Sequence, residues 1–253
     1  MPSVKLDSGF CEYQIFNAEA PGQPVVLLHE GLGCISRWTR FPAVLANLTQ
    51  LPLLVYNRQG YGYPAAKPLT KNPDYMHHEA EIILPELLAK FSIKSPWLIG
   101  HSDGASIAAI HAGSVGSNVK GLVLIAPHFF VEERTLDGIS HLKQRFIEGV
   151  LENQLALFHE HPREVFLSWS DIWTSPSFST WNIDGHIKGI RAPTLVIQGD
   201  ADEFGSLAQL EYYISLYTGR AKVNVLPGRK HSPHLEAPSE IAFSIQDFMN
   251  TNR

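Results

Sequence analysis

Cysteine is nearly absent from this chain: Cys11 and Cys34 are the two in 253 residues. So sparse a pair is no disulfide framework, and free thiols are expected. Charge is scarce as well. Charged residues make up 18% of the chain, the formal net charge is -5 and no basic cluster occurs, which argues against a nucleic-acid or other polyanion partner. No run is long and apolar enough to span a bilayer, and the first residues, Met1-Pro2-Ser3-Val4-Lys5-Leu6-Asp7, lack a hydrophobic export core. The expectation is a cytoplasmic protein with a small-molecule partner, no membrane partner and no signature of oligomeric state. Repeats and low-complexity linkers are missing too. What is present, 44% hydrophobic residues over this length, suffices for one large domain or a domain with one insertion.

Taken in order, Val4 to Phe16 reads as a hairpin turning at Asp7-Ser8-Gly9. Val25-Val26-Leu27-Leu28-His29, Leu53-Leu54-Val55-Tyr56, Trp97-Leu98-Ile99, Leu122-Val123-Leu124-Ile125, Thr194-Leu195-Val196-Ile197-Gln198 and Val223-Asn224-Val225-Leu226 read as strands, most of them continuous apolar runs. Such runs suit strands covered on both faces. Helical spacing falls between them: Trp38 to Thr49, Pro73 to about Phe91, the run after Ser102, Gly205 to Tyr217, and Ser239 to about Asn250. Alternation of this kind predicts an α/β fold, a doubly wound and mostly parallel sheet with sites at the carboxyl ends of its strands. The alternation stops over 127–190, which carries helical periodicity from Ile139 to Leu157 and from Arg163 to Ile172 and many aromatics. The expected organisation is a core of 1–126 and 191–253 with a helical cap inserted at 127–190.

Gly100-His101-Ser102-Asp103-Gly104 stands between a strand and a small-residue helix. A G-x-S-x-G turn in that context lifts the serine hydroxyl to a helix N-terminus, where unpaired N–H groups await developing negative charge. A serine hydroxyl needs a base, and the base needs an orienting carboxylate. Gly199-Asp200-Ala201-Asp202-Glu203 and Gly228-Arg229-Lys230-His231 both follow strands and so reach the same sheet edge. Asp200 and Glu203 compete with Asp202 for the acid position. His231 and His234 have metal-pair spacing with no evident third ligand, and His234 and His101 are expected to be structural. His77-His78-Glu79 and His159-Glu160-His161 are read as solvated histidines, and no metal is expected.

These three motifs, in the order serine, acid, histidine, resemble the α/β-hydrolase family, in particular its capped esterase, lactonase and C–C bond hydrolase branch, from Val25 to the end of the chain. The resemblance implies Ser102 as nucleophile, Asp202 as acid, His231 as base, and an oxyanion hole from the N–H groups of Gly31 and Asp103, with no cofactor. It implies a serine hydrolase of a small ester, lactone or related acyl compound. C–C bond cleavage of a diketone by the same residues, or a ligand receptor on a hydrolase scaffold, are the alternatives.

Two departures from the family pattern matter. Its H-G-x-x-G reads His29-Glu30-Gly31-Leu32-Gly33 here, which sets a carboxylate beside the hole, and its D-x-R-G-x-G reads Asn57-Arg58-Gln59-Gly60-Tyr61-Gly62. Arg58 is expected to pair with Glu30 and hold it away. Asp103 has two readings, a contact for a substrate amine or a partner for local backbone donors at the helix start. Glu30, Asp103, Phe129 and Trp173 are the expected pocket residues.

Overall fold

The structure is a computed structural model that describes residues 1–63 and 72–252. Eight strands form one sheet: β1 (Ser3–Leu6), β2 (Gly9–Phe16), β3 (Val25–Leu28), β4 (Leu53–Tyr56), β5 (Trp97–His101), β6 (Gly121–Ile125), β7 (Thr194–Gly199) and β8 (Ala221–Leu226). Their spatial order is β1-β2-β4-β3-β5-β6-β7-β8. The β1–β2 and β2–β4 pairs are antiparallel and all the others are parallel.

Side chains of a strand alternate between faces, and here the alternation divides the core in two. Val26, Leu28, Leu98 and Leu124 pack toward α3 (Leu84–Lys90) and α4 (Asp103–Gly113), whereas Val25, Leu27, Ile99 and Ile125 pack toward α1 (Phe41–Thr49) and α11 (Pro238–Thr251). Each such side chain, fully buried, contributes ~1.5–3 kcal/mol of hydrophobic stabilisation. With both faces covered, the inner strands β3 to β6 are buried throughout and almost wholly apolar, whereas β1 and β8 at the sheet edges carry polar residues such as Lys5 and Lys222. Cys11 and Cys34 are buried and unpaired.

The helix expected over 73–91 is continuous in direction but changes pitch. Tyr75–His78 (α2) leads into a π-helical turn, Glu79–Ile83, before α3. Between β6 and β7 lie α5 (Glu133–Ile147), α6 (Val150–Leu155), α7 (Pro162–Trp173) and α8 (Asp184–Gly189). The single periodic stretch read from Ile139 to Leu157 is thus two helices, broken at Gly149, whose φ of 77° ends α5 and starts α6. This excursion is closed at its neck by Val131 N–H donating to Trp181 O (3.3 Å) and Ile183 N–H to Phe129 O (3.1 Å). After β7 come α9 (Ala208–Leu216) and, after β8, α10 (Pro233–Glu236). Among the described residues no helix is long and apolar enough to cross a membrane.

Candidate active site

β5 ends at His101 and α4 begins at Asp103, so Ser102 alone reverses the chain. It does so at φ 53° and ψ −121°, a conformation that costs a non-glycine residue ~1–3 kcal/mol. The turn closes because its neighbours lack side chains: a Cβ on Gly100 would lie 2.2 Å from Gly104 O, and one on Gly104 would lie 2.0 Å from Leu28 O. Ser102 N–H donates to Ile125 O across 2.9 Å, which fixes the elbow to the end of β6.

β7 and β8 are neighbours, so the loops that follow them meet. Ala201 N–H donates to Arg229 O (3.1 Å) and Gly228 N–H to the Asp200 carboxylate (2.7 Å). This contact brings the His231 ring onto Asp202, with Nδ1 2.9 Å from both carboxylate oxygens. The loop itself fills the rest of the carboxylate: Phe204 N–H (2.7 Å), Gly205 N–H (3.1 Å) and Gln198 Nε2 (2.6 Å) donate to it. Burial would raise the Asp202 pKa, but the facing His231 ring and these hydrogen bonds prevail and hold it at about 2. Burial would lower that of His231, and Asp202 prevails there too, holding it above its usual value. The two rival acids are otherwise engaged, Asp200 as above and Glu203 as acceptor of the His231 backbone N–H at 3.3 Å.

Ser102 and His231 border one cavity of about 260 Å³, together with Glu30, Gly31, His101 and His128. Leu142 and Arg145 of α5, Leu151 and Leu155 of α6, and Trp169 and Trp173 of α7 form its other side. The volume lies below the ~300–1,000 Å³ typical of pockets for drug-sized ligands, and suits a small one. A larger cavity, about 480 Å³ beside Leu51, Trp97 and Met249, lies at the opposite end of the strands.

Two of the four expected pocket residues, Glu30 and Trp173, line the cavity. Phe129 does not: it is buried and stacked on Tyr213 with ring centroids 4.9 Å apart. Nor does Asp103, whose carboxylate accepts from Tyr75 OH (2.6 Å) and Trp169 Nε1 (3.4 Å) and lies 4.0 Å from Arg58 Nη1. A buried carboxylate without such partners would be costly, so the partners hold it in the interior. The partners of the Asp103 side chain are thus side chains distant in sequence, not the backbone donors at the helix start that its second reading named.

The expected Arg58–Glu30 ion pair is replaced by a different one. The Glu30 carboxylate meets Arg37 Nε at 3.0 Å and His101 Nδ1 at 3.6 Å. Burial alone would raise its pKa, yet these groups keep it well below the usual carboxylate range. Arg58, 2% exposed, is held inside the sheet edge by its place just after β4, and binds the Glu30 backbone instead, at 2.6 Å from its oxygen. Arg37 has no motif to announce it and was found only by the fold.

His234 is packed among Trp38, Phe41 and His101, and His101 is buried beneath His231. His159, expected at the surface, is buried, accepting from Gly62 N–H (3.1 Å) and donating to Leu32 O (3.0 Å). Among the described residues no three His, Cys, Asp or Glu side chains gather as a metal site.

The family model described as the alpha/beta hydrolase family matches residues 25–242. The chain belongs to this family. A proline iminopeptidase of Heyndrickxia coagulans is 23% identical over 98% of this chain and 98% of its own. Among solved structures, a membrane phospholipase A described as a bacterial virulence factor superposes with a TM-score of 0.81 at 20% identity, covering 100% of this chain and 86% of the other. The enol-lactonase from Burkholderia xenovorans LB400 gives 0.77 at 17%, covering 98% and 100%. At these identities the two structures establish the shared fold. Family membership makes this hydrolase an enzyme of bond cleavage by water.

Proposed function

We propose that this hydrolase cleaves a small ester, lactone or related acyl compound through a Ser102 acyl-enzyme. The observation that carries the reading is His231, held on the buried Asp202, sharing one cavity with the strained Ser102 elbow. Asp202, ionised and bound at Nδ1, fixes the tautomer in which Nε2 is the basic atom of His231. As Ser102 Oγ attacks the carbonyl carbon, its proton passes to Nε2. The tetrahedral oxyanion is received by the N–H groups of Gly31 and Asp103. Collapse expels the leaving group, which takes the proton from His231. Water, giving a proton to His231, then attacks the acyl ester, and Ser102 recovers that proton as the acid departs. This sequence calls on no metal or organic cofactor.

Residues 127–190 act as a cap in this reading, since α5, α6 and α7 supply the apolar wall of the cavity. The Asp103 carboxylate is committed to Tyr75, Trp169 and Arg58, so it is not the group that would recognise a substrate amine. Release of p-nitrophenol from p-nitrophenyl acetate tests the reading. The wild type should turn over, and Ser102→Ala, equally folded, should lose at least ~10³-fold in kcat. Equal rates would overturn it. Ser102-dependent cleavage of a diketone without ester turnover would move the reading to C–C bond hydrolysis, and ligand-triggered partner recruitment without turnover would move it to a receptor.

A further inference from the structure

We infer that Arg58 is a positioning residue that sets the oxyanion hole by holding the peptide between Glu30 and Gly31 in one orientation. The inference rests on the serine-hydrolase reading for its consequence and on the backbone geometry for its content. In a trans peptide the C=O and the following N–H point in opposite directions. Whatever captures the Glu30 oxygen therefore aims the Gly31 N–H the other way. Three donors converge on that oxygen: Arg58 Nη2 at 2.6 Å, His29 Nδ1 at 2.8 Å and Gly33 N–H at 3.0 Å. The His29 ring takes its tautomer from the same residue, because Arg58 N–H donates to its Nε2 at 3.1 Å and leaves the proton on Nδ1. Gly31 borders the cavity of Ser102, and the next carbonyl, Gly31 O, is held from behind by Tyr61 OH at 2.9 Å. The Arg58 guanidinium in turn stacks over the Tyr61 ring at 4.8 Å.

The other half of the hole depends on the same cation. Asp103, whose N–H would be the second donor, has its carboxylate 4.0 Å from Arg58 Nη1. Without Arg58 a buried negative charge would stand close to a developing oxyanion and oppose it. The cationic hydrogen bond accepted by the Glu30 carbonyl oxygen also polarises its peptide and strengthens the N–H as a donor. One buried guanidinium thus orients the first donor and neutralises the charge attached to the second.

Arg58→Met, compared with the wild type, tests this by three readouts. On p-nitrophenyl acetate kcat should fall ~100-fold, the loss expected for one oxyanion donor, with KM within threefold. Affinity for a trifluoromethyl ketone, which forms a tetrahedral adduct on the serine, should weaken by a similar factor. The Gly31 amide resonance should move in the ¹⁵N–¹H spectrum, while the indole resonance of Trp97, at the far end of β5, stays in place. Where Arg58→Met loses its fold, Arg58→Lys carries the same test, since it keeps the buried charge and gives up the planar fork. A folded variant with kcat and ketone affinity within threefold of wild type, or with an unmoved Gly31 amide, would overturn the inference. Should the wild type hydrolyse no ester, the ester reading fails, and the Gly31 amide alone still decides whether Arg58 sets that peptide.

Discussion

His101 Nε2 donates to the backbone oxygen of His231 across 2.8 Å. The residue beside the elbow serine thereby holds the loop that carries the histidine, while its other nitrogen faces Glu30 at 3.6 Å. The sequence neighbour of Ser102 is thus joined directly to His231, 130 residues away. Replacing His101 by Phe keeps the ring packing and leaves a part-buried carbonyl without its partner, a loss of ~1 kcal/mol. Urea unfolding should register that loss, and kcat/KM on p-nitrophenyl acetate should fall about tenfold as the His231 loop loosens.

In the proposed mechanism the Asp202–His231 pair sets the pH response, since His231 must be neutral to accept the serine proton and its pKa stands above the usual value because of Asp202. The acid limb of kcat/KM should therefore have its midpoint above the ~6.5 of an ordinary histidine. In Asp202→Asn the midpoint should shift to lower pH while the rate falls ~10⁴-fold. A midpoint unchanged in that variant would assign the limb to another group.

The same pair links pH to stability, and the two partners act at opposite ends. The Asp202 pKa is depressed from 3.8 to about 2, so its contribution is complete above about 4 and is lost as pH falls toward about 2. The His231 pKa is raised, so its contribution is complete below its unfolded value and fades as pH climbs through the folded one. Unfolding free energy measured in urea across the acid range should show the Asp202 loss, and Asp202→Asn should flatten it.

Ser102 pays for its place in backbone strain. Glycine adopts positive φ without the Cβ penalty, so Ser102→Gly should remove activity while raising the thermal midpoint, by an amount equivalent to ~1 kcal/mol. A lowered midpoint would mean that the elbow holds no releasable strain.

Arg37 pairs with the Glu30 carboxylate, which lies beside the proposed oxyanion hole. With Arg37→Ala, Glu30 loses its guanidinium and keeps only the more distant His101 ring beside it, and its charge should oppose the oxyanion, lowering kcat several-fold with KM little changed. Glu30→Gln in that background should restore most of the loss. Failure of the second change to help would assign Arg37 to substrate binding, since it also borders the cavity.

Much of the fold was legible because local sequence determined it. Continuous apolar runs such as Leu122-Val123-Leu124-Ile125 have no stable place except a strand covered on both faces, and Gly100 and Gly104 mark a turn that no Cβ would fit. The order of the three motifs, each after a strand, put Ser102, Asp202 and His231 at one sheet edge, and there the structure sets His231 on Asp202 and both Ser102 and His231 at one cavity. Partner choice among charged side chains was decided elsewhere. Whether Glu30 meets Arg58 or Arg37 depends on which cation the sheet buries, and Arg58 enters the interior only because β4 lies beside β3. Asp103 turns inward because α2 and α7, far from it in sequence, bring Tyr75 and Trp169 to its carboxylate. Local propensity thus determined the elements and the positions of the motifs. Long-range packing decided which charges meet, since an ion pair depends on distances that only the assembled sheet and helices set.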